Sequence, residues 1–546
     1  MIKFDSKTKI IISDNLSDDV DTLLNDENVS DVGLIVDTNV CEVESIKSLK
    51  TFLDKKHKLR YKEIKVTEPT MDMVNHYADK FRKNPPELLI GIGGGSTLDL
   101  VKAISVMSIH DGVVEDYHGT GKPFTQGIRK ILIPTTAGTG AEVTKGAVLV
   151  NEKTKFKRAI SGKHITADYA LLYAELTTTM PDNITATTGL DALAHAIESY
   201  TAKCANEITR MYSLKAFSLI FNNLPKIFEY KNNLEYRKNV LLGSCLAGYA
   251  IYNSDTGACH AMSYPLGIYN HVPHGLAVGT LLPKVIANNI EKGASQYANL
   301  YDAIDEVLFL ENIDEKSHAF LHMINSFKPL QYMGKTFRDY GINESNIDFL
   351  SERGLDLKSA LNNNPVEFTL KDSISIYQQV MKESVNMDLA NITTIFFDFD
   401  GIFTDNSVYM DQNGVETIRC SRADGLGIKL LHREHIRMAI VSAEENLVVS
   451  SRASKLNLPV FQGCHNKVAF FKDYLKKENI NPDYTAFIGN DINDLEAMLF
   501  FKYRVCPADS HPDILACANI KLNASGGNGA VREFCEMIIS SRQKTS

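Results

Sequence analysis

At 546 residues the chain is too long for one hydrophobic core, so it is expected to fold as several domains. Its net charge of −9, with 44% hydrophobic and 23% charged residues, is ordinary for a globular protein and excludes a general nucleic-acid binder. No apolar run is long enough to cross a membrane, and residues 1–7 lack a signal-peptide pattern. The nine cysteines are scattered without a Cys-x-x-Cys pair, so reduced thiols in a cytoplasmic protein are expected.

Residues 32–37 read as a buried parallel strand ending in an acid, and residues 64–66 as a second, short strand. A third, 87–93, runs into Gly94, Gly95 and Ser96 before a helix that begins at Thr97. Strands alternating with helices predict a parallel sheet. Glycines between strand and helix let the backbone approach a phosphate, and the helix N-terminus offers free amides to it. The spacing is not Gly-x-Gly-x-x-Gly, and three glycines in a row also suit a tight turn. Asp37 could accept hydrogen bonds from a ribose or be a solvated loop acid. Residues 131–134 lead into Thr135-Thr136-Ala137-Gly138-Thr139-Gly140, small hydroxyls and glycines that suit a loop lying against a cofactor.

Thr187-Thr188-Gly189-Leu190-Asp191-Ala192-Leu193-Ala194-His195 reads as a helix start with Thr187 or Thr188 as its cap. Asp191 and His195, four apart, project from one helix face and make half of a metal site. His260 and His274 are candidates for the other half. Such a pair also occurs as a surface pair, so spacing alone leaves the site open. One carboxylate and three imidazoles suit iron or zinc better than magnesium. Cys259 is read as a small buried residue rather than a further ligand. Segments 208–222, 236–252 and 298–309 carry helical periodicity, and Asn362-Asn363-Asn364-Pro365 marks a turn before a helix at 371–384. The short polar connection at 383–388 is expected to join docked parts.

Residues 394–397 form an apolar strand that ends in Asp398 and Asp400, two apart and on the same side of an extended segment. Oxygen ligands there suit magnesium beside a phosphate; the alternative is a strand end with solvated acids. A second apolar strand, 486–488, ends in Gly489-Asn490-Asp491-Ile492-Asn493-Asp494, and Lys467 lies between the two.

Gly93-Gly94-Gly95-Ser96 with Asp99 and Lys102, Pro134-Thr135-Thr136-Ala137-Gly138-Thr139-Gly140, the Asp191–His195 helix, His260 and Pro273-His274-Gly275 together resemble the iron-containing alcohol dehydrogenase family, in order and spacing, up to about residue 385. The resemblance implies a dinucleotide-binding half and a helical half with the active site between them. It implies NAD(P)H near Gly94, Gly95, Ser96 and Asp99 at the pyrophosphate, with Thr135 and Thr136 towards the nicotinamide and Lys157 as the cleft lysine. It also implies that Asp191, His195, His260 and His274 hold iron or zinc. Two positions depart from the family's pattern. Tyr264 stands where many relatives have a further histidine, and Tyr173-Ala174 replaces an Asp-Pro step, a change expected to affect only a loop.

The later motifs resemble the haloacid dehalogenase superfamily of phosphotransferases. The resemblance implies that Asp398 is the nucleophile, Asp400 the acid and base, Ser442 the phosphate-binding hydroxyl and Lys467 the neutralising lysine. Asp398, the Asp400 backbone and the Asn490-Asp491 pair would hold Mg2+, with Asp494 behind them. Ser421-Arg422-Ala423-Asp424-Gly425 and Gly526-Gly527-Asn528-Gly529 are similar to capless phosphatases acting on 3-deoxy-octulosonate 8-phosphate and to the C-terminal domains of some acylneuraminate cytidylyltransferases. The short stretch from Asp400 to Asp424 leaves no room for a cap domain. Asn490 stands where an aspartate is frequent.

An α/β protein of three domains is therefore predicted: 1–185, a Rossmann-like parallel sheet binding the dinucleotide; 186–388, all-helical and metal-binding; and 389–546, a Rossmann-like phosphatase. The expected function is bifunctional. A metal-dependent NAD(P)H reductase of a small aldehyde or ketone is joined to a magnesium-dependent phosphatase of a small sugar or polyol phosphate. Two alternatives are a reductase of an acidic aldehyde such as phosphonoacetaldehyde, suggested by Ser263-Tyr264-Pro265-Leu266 and Lys157-Arg158, and a dehydrogenase with a silent oligomerisation domain. Asp37 favours NADH because an acid there repels a 2′-phosphate. Small-molecule substrates and a homo-oligomer, dimer or tetramer, are expected, with neither nucleic acid nor membrane as partner.

Overall fold

A computed structural model describes residues 7–117, 125–152, 156–305, 307, 309–383 and 389–545. The chain divides into two compact units, 1–384 and 385–546. Most of the connection expected at 383–388 lies outside the described residues.

The first unit opens with β1 (Lys9–Ser13), β2 (Asp31–Asp37), β3 (Lys58–Ile64), β4 (Leu88–Gly93) and β5 (Arg129–Pro134). After the antiparallel pair β6 (Gly146–Asn151) and β7 (Phe156–Ser161) comes β8 (Tyr169–Tyr173). Six strands form a parallel sheet in the order β1-β8-β5-β4-β2-β3. β2 and β4 are buried nearly throughout, as the Val-, Leu- and Ile-rich runs of a sheet covered on both faces require. The edge strand β3 starts well before the expected 64–66, because its polar Lys58-Leu59-Arg60-Tyr61-Lys62-Glu63 run has one side open to water. Strand order reverses between β2 and β4, with β3 on one side and β5 on the other. That reversal opens a crevice at the carboxyl ends of β2 and β4. The Tyr173-Ala174 step lies at the end of β8 and the start of a 3-10 turn, so the altered segment is a strand end rather than a plain loop.

From Asp182 to Glu383 the described chain is helical. The metal-motif helix runs Asp182–Thr201 with Pro181 at its N-cap. Thr187 and Thr188, expected as caps, lie inside it. Their hydroxyls donate back to the Asn183 and Ile184 carbonyls at 2.8 and 2.7 Å. Proline before Asp182 sets the helix start one turn earlier than the threonine signal. Further helices include Glu207–Ile227, Leu234–Ser254, Ala258–Asn270, His274–Glu291 and Leu370–Glu383. The helix expected over 298–309 is only Tyr297–Tyr301, since burial ends near Ile304 and Phe309 is solvent-exposed. No helix among the described residues is long and apolar enough to cross a membrane.

The second unit holds β9 (Thr394–Phe397), the antiparallel hairpin β10 (Thr404–Met410) and β11 (Glu416–Cys420), β12 (Arg437–Val441), β13 (Val460–Phe461), β14 (Thr485–Ile488), β15 (Tyr503–Cys506) and β16 (Ile520–Lys521). Its parallel sheet has the order β13-β12-β9-β14-β15-β16. The order reverses between β9 and β14, so a second crevice opens at the ends of those two strands.

Candidate active sites

In the first unit, Asp37 closes β2 and is almost fully buried. Its carboxylate accepts the Thr97 hydroxyl at 2.7 Å and the Asn39 amide at 2.9 Å. Gly94 is the N-cap of the helix Gly95–Met107 and supplies no side-chain cap, so the first amides of that helix face the crevice unsatisfied by a side chain. A Cβ on Gly93 would come within 2.6 Å of Thr97, and one on Gly95 within 2.5 Å of Thr139. Neighbouring side chains therefore require glycine at both. A Cβ on Gly94 would meet only Thr136, at 3.5 Å. Its missing side chain leaves a cradle at the helix N-terminus that fits a pyrophosphate. Gly94→Ala is accordingly expected to raise the KM for the dinucleotide by about tenfold, close to 1.4 kcal/mol, with an unchanged Tm. Initial rates and a melting curve on the same sample test this.

The other crevice residues divide. Thr135 is buried and its amide donates to the Gly93 carbonyl at 3.0 Å, while Thr136 stands half-buried beside Gly94. Ser96 donates to the Thr67 carbonyl at 3.2 Å. Asp99 is turned to its own helix and to β6: it pairs with Lys102 at 2.8 Å and accepts the Val148 amide at 2.9 Å. Lys157 lies in β7 opposite Val150, and its side chain is outside the described residues.

The loop after β5 leads to the second feature of this unit. A Cβ on Gly138 would meet Thr188 at 2.9 Å, so this loop rests directly on the Asp182–Thr201 helix, one turn before Asp191. From the other side, a Cβ on Gly275 would meet the Thr187 carbonyl at 2.3 Å. Only glycine lets the helix that begins at His274 approach so closely.

Four separated residues thereby converge. Asp191 Oδ1 lies 3.5 Å from His260 Nε2, 3.5 Å from His274 Nε2 and 3.9 Å from His195 Nε2. Asp191, His195 and His260 are buried, while the His274 side chain is 45% exposed and forms the open side. Asp191 Oδ1 and His260 Nε2 are buried without a hydrogen-bond partner. Buried polar atoms normally have partners. Two such atoms aimed at one another among a carboxylate and three imidazoles fit a divalent metal ion. Burial alone would raise the Asp191 carboxyl, but His195, His274 and His260 hold it well below the usual carboxylate range. Burial pushes His195 down to about 4, the neutral state a ligand needs.

Glu198, seven residues after Asp191 on the same helix, completes this arrangement. Its buried carboxylate accepts the Cys259 amide at 2.7 Å and pairs closely with His260 Nδ1. Burial opposes protonation of His260, but Glu198 and Asp191 raise its pKa to about 10. A metal ion would displace the Nε2 proton and take that lone pair, with Nδ1–H donating to Glu198. Behind it, Asn364 and Asn289 exchange amide hydrogen bonds at 3.0 and 3.2 Å, and Asn289 donates to Tyr297 at 2.9 Å. The run Asp191, His195, Glu198 at helical spacing was the signal for this residue. Glu198→Gln is expected to weaken metal affinity by roughly 10–100-fold. Metal titration of the apoprotein checks this independently of turnover.

In the second unit, Asp398 directly follows β9 and is buried. Lys467 Nζ lies 2.9 Å from Asp398 and 2.5 Å from Asp494. Asp494 in turn accepts the Asn490 amide at 2.9 Å and the Asp491 amide at 3.4 Å, which folds the turn after β14. Ser442 follows β12, on the other side of β9; it is buried and accepts the Glu444 amide at 3.1 Å. A cavity of about 340 Å³ sits over these strand ends, lined by Asp398, Asp400, Asn406, Asn490, Asp491 and Asn493. Gly401, at φ +69°, packs so closely on Asn490 of the lining that a Cβ there would meet its side chain at 1.9 Å. Asn490 Oδ1 is buried without a hydrogen-bond partner. Burial and Asp494 push the Asp398 carboxyl up, and the Lys467 ammonium pulls it back towards the charged form. Burial and Glu444 also raise Asp400. Three carboxylates and an unpartnered amide oxygen, with one ammonium beneath them, suit a hard dication. Asn406 and Asn493 had no chemical signal in the sequence.

A crevice for a dinucleotide beside a buried Asp-His cluster is the arrangement of a metal-dependent, nicotinamide-linked dehydrogenase. The chain belongs to the iron-containing alcohol dehydrogenase family: the iron-containing alcohol dehydrogenase model matches residues 7–174, and the C-terminal model of the Fe-containing alcohol dehydrogenase family matches residues 185–381. Long-chain-alcohol dehydrogenase 1 of Geobacillus thermodenitrificans is 34% identical over 317 residues, 57% of this chain and 80% of that protein. Sulfoacetaldehyde reductase of Bilophila wadsworthia is 32% identical over 304 residues, 55% of this chain and 78% of that protein. The crystal structure of sulfoacetaldehyde reductase from Bifidobacterium kashiwanohense in complex with NAD+ superposes with a TM-score of 0.63 at 26% identity, covering 71% of this chain and all of that one. The family uses NAD(P) and iron or a similar metal, and the first unit carries alcohol/aldehyde dehydrogenase–reductase chemistry of this iron type. Both family models end before the second unit begins.

Proposed function

We propose that the chain joins two enzymes that act on small, related molecules. The first interconverts a small aldehyde or ketone of polyol or sugar-like kind with its alcohol, using NADH or NADPH; Asp37, expected to favour NADH, is buried with its oxygens engaged by Thr97 and Asn39. The observation that carries this reading is the convergence of Asp191, His195, His260 and His274 around two unpartnered buried atoms. A divalent ion held there supplies Lewis acidity towards a carbonyl oxygen, and the nicotinamide supplies hydride, which no side chain can. The chain's own residues do the rest. The helix at Gly95 and the Gly94 cradle bind the pyrophosphate, Thr135 and Thr136 line the crevice, and Glu198 accepts from His260 Nδ1, which orients the Nε2 lone pair towards the metal position.

The second enzyme is a magnesium-dependent phosphatase of haloacid dehalogenase type. Support comes from Asp398, Lys467, Ser442 and the Asn490-Asp491 turn meeting where the strand order of the second sheet reverses, beneath a polar cavity. The Asp398 carboxylate attacks phosphorus, and the bond from phosphorus to the ester oxygen breaks. Asp400 gives its proton to the departing alkoxide. Asp400 then takes a proton from water, which attacks the aspartyl-phosphate and releases inorganic phosphate and Asp398. Lys467 offsets the charge that gathers at Asp398, and Ser442 binds the phosphoryl group. A homo-oligomer acting in the cytoplasm completes the reading.

An anionic aldehyde is a second reading for the first enzyme, favoured by the similarity to sulfoacetaldehyde reductases. Rates of NADH and NADPH oxidation with dihydroxyacetone-like ketones against phosphonoacetaldehyde and sulfoacetaldehyde decide between the two. A silent assembly module in place of the phosphatase is disfavoured by the buried Asp398–Lys467–Asp494 cluster. Such a cluster costs desolvation energy that apolar packing would avoid.

A further inference from the structure

The charge around the second cavity bears on its substrate, on the reading of that cavity as a phosphatase site. We propose that it takes phosphate esters whose leaving group is an uncharged polyol, and that it discriminates against phosphorylated sugar acids, unlike the 3-deoxy-octulosonate phosphatases that its motifs resemble.

The six lining residues are three carboxylates, Asp398, Asp400 and Asp491, and three amides, Asn406, Asn490 and Asn493. No lysine, arginine or histidine is among them. Lys467 is buried beneath the cavity and held by Asp398 and Asp494. Two further acids, Glu444 and Glu416, act on Asp400 from close by. Glu416 accepts the Asn446 side-chain amide at 2.6 Å, and Glu444 accepts the Glu445 and Asn446 backbone amides at 2.9 and 3.0 Å. Arg419 of the hairpin is turned to Asp405 at 3.3 Å and to Asn528 at 3.0 Å. A bound dication and Lys467 are matched by the carboxylates and the phosphoryl group. Among the described residues that line the cavity, none is a cation that could take a second anionic group on the substrate. A carboxylate brought into the cavity would lose its hydration and gain only like charges.

The amides suit the opposite chemistry. Asn406 stands at the start of the hairpin in the left-handed region, at φ +60°, a conformation asparagine tolerates better than most residues. Asn493, exposed on the turn after β14, adds a second side-chain amide to the wall. Side-chain amides both donate and accept, which matches the hydroxyls of a polyol.

The test uses the full-length, magnesium-loaded protein and two matched pairs: glycerol 3-phosphate against 3-phosphoglycerate, and erythritol 4-phosphate against 4-phosphoerythronate. Within each pair only a carboxylate replaces a hydroxymethyl group. p-Nitrophenyl phosphate serves as the generic ester. The polyol ester of at least one pair is expected to show a kcat/KM about tenfold or more above its acid partner, as like-charge discrimination predicts. Asn493→Lys, which adds a cation to the wall, is expected to narrow that ratio. Equal or faster turnover of the acids overturns the proposal, as does hydrolysis of p-nitrophenyl phosphate with neither polyol ester turned over. If no ester at all is hydrolysed, the phosphatase reading fails and takes this proposal with it.

Discussion

Asp191→Asn is expected to leave a folded protein that no longer binds its metal and reduces carbonyl substrates roughly a thousandfold more slowly, several kcal/mol of lost Lewis-acid stabilisation. The reason lies in the packing. Asp191 is the only carboxylate among the four converging groups, and its Oδ1 faces all three imidazoles. An amide of the same shape fills the same space but cannot offset the charge of a dication. The apoprotein need not lose stability, because the substitution removes a buried charge rather than a packed side chain. The readout is a melting curve with and without added metal. A ligand that binds only the folded state at a hundred times its Kd stabilises by about 2.7 kcal/mol. The unsubstituted protein should show this shift and Asp191→Asn should not. A metal-dependent shift of equal size in the variant would place the metal elsewhere.

The second large effect is Asp398→Asn, expected to lower phosphate release by at least about a thousandfold by removing the nucleophile. Asparagine preserves the shape of the β9 end and leaves Lys467 its 2.5 Å partner Asp494, so the fold should survive. The substitution also relieves a buried carboxylate crowded by Asp494. NAD(P)H oxidation by the same sample should be unchanged. Phosphate release that persists in this variant would mean the activity does not use the β9 crevice.

Much of both sites was legible because their residues lie in short runs with a fixed geometry. Asp191 and His195 sit one helical turn apart, and Asp398 and Asp400 alternate at a strand end, so residue type and spacing suffice. Glu198 was within reach of the same logic, but its partner, the His260 Nδ1 atom, comes from another helix and only folding brings the two together. Asp99 was expected at the pyrophosphate, and the structure instead engages both its oxygens with Lys102 and β6. Edge strands were the least legible part of the fold. β1 carries only the three-residue run Ile10-Ile11-Ile12, partly exposed at the sheet edge, and β3 is broken up by charged residues, whereas β2 and β4 are apolar and buried nearly throughout. Asn406 and Asn493 belong to a cavity wall that exists only after the hairpin and the β14 turn are formed.

The measurement that bears most directly on the two-enzyme account is a paired assay on one purified, metal-reconstituted sample. It follows NADH oxidation over small aldehydes and ketones, and phosphate release over polyol and sugar phosphates. The account predicts both activities, with Asp191→Asn silencing only the first and Asp398→Asn only the second, and with the dephosphorylated product of one panel serving as a substrate in the other. Hydride transfer alone, with Asp398→Asn indistinguishable from the unsubstituted chain in every readout, would contradict it.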